Sequence, residues 1–87
     1  MTDPSRFDEA VTVRLRRDEA IVLYGFLSRE IWNNDEVHLK ALYQDAAETH
    51  GLQALLQELV PMLVDTGGPD GADIREAAAS NLVARHT

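Results

Sequence analysis

From Glu19 to Asn33 the chain puts apolar side chains on almost every face of a single helix. At about 100° per residue, Ala20, Leu23, Tyr24, Leu27 and Ile31 make the main stripe. Val22 and Phe26 make a second strip and Ile21 and Trp32 a third, so that only Gly25, Ser28, Arg29 and Glu30 break the coat. A helix apolar on most sides is either central to its fold or covered by another chain. The chain has 87 residues, enough for one domain. A domain that small buries about 60–65% of its unfolded surface, so cover from a partner would stabilise it. Phe26 and Trp32 lie off the main stripe, where a large aromatic suits the core and an interface equally. With Val22 they are the interface candidates.

Just before this helix, residues 10–16 alternate cleanly. Val11, Val13 and Leu15 fall on one face, and Thr12, Arg14 and Arg16 on the other. Period two with β-branched residues predicts a half-buried strand. No second strand is evident, and a lone strand presents unpaired backbone groups. The economical expectation is a mate from a second copy, with Val11, Thr12, Val13, Arg14 and Leu15 paired about a two-fold axis in a homodimer. The competing mates are residues 60–64 of the same chain or a strand from another protein.

The rest reads as helix. Asp18 is the expected N-cap of the first helix. Asn33-Asn34-Asp35 ends it. A second helix is predicted over 36–50, with Leu39, Leu42, Tyr43 and Ala46 inward, and Gly51 as its left-handed end. A third runs over 52–65 on Leu52, Leu55, Leu56, Leu59, Met62 and Leu63. Pro61 kinks it, or else releases 60–64 into an extended run. Residues 66–71 form a loop, and a last alanine-rich helix covers 72–85. The expected fold is thus mostly α: one short N-terminal strand and three to four helices, with a mobile arm over 1–9 and a single small helical domain over 10–87.

Fifteen acidic against eight basic residues give a net charge of −7. The excess lies after residue 29; over residues 1–29 five arginines meet five acids. An acidic body disfavours nucleic acid as a partner. There is no cysteine, so disulfides and thiolate chemistry are excluded. His38, His50 and His86 share no metal-ligand spacing, Ser28 does not sit in a G-x-S-x-G elbow, and Gly67, Gly68 and Gly71 lack the G-K-S/T of a phosphate loop. No enzyme, cofactor or metal site is predicted. The first residues lack an apolar leader, and no apolar run reaches the roughly 20 residues that span a bilayer, so a cytoplasmic protein is expected.

Two resemblances follow from these residues. Val11-Thr12-Val13-Arg14-Leu15 leading into Asp18-Glu19 is similar to the ribbon-helix-helix repressors. That likeness implies a dimeric ribbon in which Thr12, Arg14 and Arg16 read the major groove. The first helix here is longer than that family's, and no Ser/Thr-capped second helix follows at its spacing. The run from Val13 to Arg29 also resembles V-x-L-x-x-D-E-A-x-V-L-x-x-F-L-x-R, a segment of short uncharacterised bacterial proteins that bring no activity to carry over. The leading expectation is a non-enzymatic acidic interaction domain, a homodimer or the acidic partner of a basic protein in the manner of immunity proteins and antitoxins. Glu36, Asp45, Glu48, Glu58 and Asp65 would steer such a partner. The alternative is a DNA-binding regulator using the strand.

Overall fold

The structure, a computed structural model, describes residues 7–87. Helix α1 spans Arg17–Leu27 and runs on without a break into a wider π turn over Ser28–Asn33. Arg16, in extended conformation, caps α1, and the Glu19 carboxylate accepts from the Arg16 backbone N–H at 2.8 Å. Asp18, expected at the cap, sits inside the first turn and accepts from the Glu19 N–H at 2.8 Å. The π turn closes where Asn34 N–H reaches the Arg29 carbonyl at 2.9 Å. The chain then reverses through Asp35 and Glu36, both left-handed at φ 51° and 60°. Helix α2 covers Ala46–Leu59, a 3-10 turn Val60–Met62, and the short α3 Leu63–Thr66. After a bend at Gly67 and Gly68, α4 runs from Gly71 to Arg85.

Among the described residues there is no strand, which corrects the expected N-terminal strand and its pairing across a dimer. Residues 10–16 are non-helical, but they form no ladder. Val11, Val13 and Leu15 are 85%, 70% and 40% exposed. Period two supplies a face to bury; a strand also needs a second backbone to accept its N–H groups, and among the described residues none pairs with it. Residues 60–64, the alternative mate, are helical. Of the arm expected over 1–9, residues 1–6 lie outside the described residues.

The expected helix over 36–50 is also corrected. Residues 35–42 form successive turns, and α2 starts later because Asp45 and Glu48 make a reciprocal cap. The Asp45 carboxylate accepts from Ala47 N–H at 2.8 Å, and the Glu48 carboxylate from Asp45 N–H at 3.0 Å. That start signal overrides the amphipathic period upstream. Gly51 accordingly lies inside α2 rather than at a left-handed end; no glycine here has positive φ.

Four of the five residues of the main stripe are buried, Leu23 being only partly so. Ala20, Tyr24, Leu27 and Ile31 meet Leu39, Leu56 and Leu59, with Leu56 the most enclosed at 1% exposure. The small Ala78 of α4 is buried too, beside an α1 whose Ile21 is 3% exposed. One polar clasp joins α1 to α4: Asp18 accepts from Arg85 and from Asn81, both at 2.7 Å.

A candidate docking groove

The three interface candidates come from two strips of an ideal helix, Val22 and Phe26 from one and Trp32 from another. Trp32 would lie about 120° away from Phe26 on an unbroken α-helix. The π turn changes that phase, and Val22, Phe26 and Trp32 line one open groove of about 870 Å³. Phe26 is 42% and Trp32 49% exposed. The Trp32 ring stands edge-on to Tyr24, centroids 6.2 Å apart at 79°, which anchors its inner side on the core. The far wall comes from the other end of the chain: Leu63 and Thr66 of α3 and Arg75 of α4.

Leu63 was expected on the inward stripe of the third helix. The Pro61 turn changes the register there, and Leu63 is 50% exposed. Pro61 therefore acts by turning an apolar residue outward into this groove. Thr66 is buried; its hydroxyl donates to the Met62 carbonyl at 3.0 Å, and its own carbonyl accepts from Arg75 at 2.8 Å. The loop and α4 are thereby tied to the groove wall.

Among the described residues two charged side chains line the groove, and both are cations, Arg29 and Arg75. The Arg29 guanidinium lies 5.3 Å from the Phe26 centroid, over the ring face. The Glu30 carboxylate, 3.9 Å from that guanidinium, is itself buried and committed to His38 at 3.0 Å and Asn34 at 3.2 Å. Those partners, His38 first, hold the Glu30 carboxyl below the ordinary glutamate range against the opposing effect of burial. The Ser28 hydroxyl, also on the wall, donates to the Gly25 carbonyl at 3.2 Å and faces no base. The groove is equipped to bind an apolar group beside an anion.

The residues expected to contact DNA or to pair in a dimer lie elsewhere. Thr12, Arg14 and Arg16 are exposed on the extended segment, with no ribbon to array them in a major groove. Of the acids expected to steer a basic partner, Glu36 is buried. Its carboxylate accepts from Gln53 at 2.7 Å and from Tyr43 at 3.2 Å, and the Gln53 contact leads in lowering its pKa. Asp45 and Glu48 are occupied in the α2 cap. The side chain of Asp65 lies outside the described residues; Glu58 is exposed.

Arg29 and Arg75 escaped the sequence reading, because nothing local says that residues 46 positions apart share a wall. A second, shallower depression of about 530 Å³ lies between α1 and α4, where the Asp18–Arg85 pair is already matched. Among the described residues no three His, Asp or Glu side chains cluster as a metal site would require, and no helix is long and apolar enough to cross a membrane. Comparison with family models, curated protein sequences and solved structures finds no match to this chain.

Proposed function

We propose that this chain is a non-enzymatic interaction domain whose working surface is the groove of Val22, Phe26 and Trp32, and that its occupant is a segment of another protein. The observation that carries this reading is the convergence of Val22 and Phe26, from one strip of the helix, and Trp32, from another, on one concavity. Exposed aromatics backed by packed neighbours are the usual anchors of protein interfaces. The balance of the surface supports it as well. Among the described residues, eleven large hydrophobic side chains are exposed and nine hydrophobic residues are buried, so much apolar area is left for a partner to cover.

Photo-crosslinking in the native host tests it. A benzophenone amino acid placed at Phe26 or Trp32 is expected to capture another polypeptide, and the same group at exposed Val83 of α4 is not. Equal capture at all three positions overturns the groove as the working surface. Capture of a second copy at Phe26 and Trp32 makes the partner this chain itself and overturns the choice of another protein.

A further inference from the structure

We infer that the groove takes an amphipathic helix whose apolar stripe is flanked by carboxylates, an inference that rests on the docking reading above. Its floor is a strip of one helix from Val22 to Asn33. The eleven steps between them at about 1.5 Å each make about 16 Å, three turns of a helix laid alongside. Phe26, Trp32 and Leu63 offer apolar contact along that length, and Arg29 and Arg75 offer guanidinium groups beside it. Guanidinium pairs with carboxylate through charge-assisted, often bidentate hydrogen bonds. Arg29 is 58% exposed at its side chain, and Arg75 is held in place by the Thr66 carbonyl through one nitrogen while the residue remains exposed.

The setting sharpens the choice. The chain as a whole carries −7, so an acidic segment is repelled from most of the molecule. A groove whose charged lining, among the described residues, is two arginines is the place where that repulsion reverses, and it fixes where the segment docks. The chain's own extended segment is a poor occupant by the same reasoning, since residues 10–17 carry Arg14, Arg16 and Arg17 and no acid.

Trp32 is the only tryptophan, so its emission reports the groove directly. The probes are a helical peptide of leucine and glutamate with one apolar stripe, the same peptide with lysine for glutamate, and laurate. The leucine–glutamate peptide is expected to shift Trp32 emission saturably to the blue, at least about tenfold more tightly than the lysine peptide, and to weaken as salt is raised. Arg29→Glu with Arg75→Glu is expected to reverse that order. Should the double variant lose its circular dichroism, Arg29→Glu alone decides, with an expected loss of about fivefold for one partly exposed pair. Equal binding of the two peptides, or indifference to both substitutions, overturns the inference. Tighter, saturating binding of laurate than of the peptide overturns it in favour of a small amphiphile. Capture at Phe26 and Trp32 alongside charge-blind peptide binding would leave the docking reading standing and remove this one; loss of both signals removes both.

Discussion

At the residue scale, buried carboxylates do more of the work than the hydrophobic pattern suggests. Asp18 is the clearest. The hydrogen bond from Arg85 leads in pulling its pKa from the ordinary 3.8 down to about 2, against burial, with Asn81 and the Glu19 N–H helping. A carboxyl depressed in the folded state contributes stability above its unfolded pKa, and that contribution is lost as pH falls through the folded value. Denaturant titrations at falling pH should therefore show stability declining from about pH 4 toward pH 2, steeply for the native chain and less so for Asp18→Asn. Asp18→Asn and Arg85→Ala should each lower the thermal midpoint at neutral pH, and the double variant should cost less than their sum. Glu36 is held by Gln53 and Tyr43 in the same manner and adds to the acid sensitivity with the same sign. Gly71 is a second informative residue. A Cβ there would overlap the Thr66 carbonyl, an atom of the main chain that cannot swing aside. Gly71→Ala should cost about 1–3 kcal/mol and weaken whatever binds the groove, because Thr66 and its tie to Arg75 form the wall.

At the scale of elements, α1 and α4 were legible because their signals are local. The stripe of Ala20, Leu23, Tyr24, Leu27 and Ile31 is a helical period in one window, and all but the partly buried Leu23 are buried. The Gly67–Asp70 loop is likewise announced by its own residues. The middle of the chain was harder. Residues 36–50 carry a helical period, yet the helix starts at Ala46, where Asp45 and Glu48 satisfy free N–H groups of its first turn. Gly51 measures this difference. It lies exposed in α2 with nothing near a built Cβ, so Gly51→Ala should stabilise the fold by about 0.5–1 kcal/mol and raise the melting temperature by several degrees. A glycine at a left-handed helix end would have lost stability under the same change.

At the scale of the whole molecule, the core is thin. A domain of 87 residues is expected to be stable by about 4–13 kcal/mol. Leu56→Ala, at the most enclosed side chain, should remove about 2–5 kcal/mol of that, a large enough share for equilibrium unfolding to show it plainly. The extended segment should behave in the opposite way. Val11→Ser, Val13→Ser and Leu15→Ser are changes at exposed, unladdered positions, and each is expected to move stability by less than about 0.5 kcal/mol. The Cα radius of gyration of 15.3 Å exceeds the about 12 Å of a compact chain of this length, consistent with an exposed stretch that adds nothing to the core.

The amino-acid sequence alone determined that Ala20, Tyr24, Leu27 and Ile31 would turn to the core and where the alanine-rich helix would run. Each of these is a property of neighbours along the chain. Tertiary structure decided the rest. Whether residues 10–16 become a strand depends on a second backbone, and among the described residues none pairs with them. Whether Asp18 caps a helix or grips Arg85 depends on α4 arriving beside α1. Whether Val22, Phe26 and Trp32 act together depends on the π turn that brings Trp32 round and on the Pro61 turn that sets Leu63 opposite. Hydrogen-bond ladders, ion pairs and concave surfaces each need two distant parts of a chain, and no local period encodes where the second part will be.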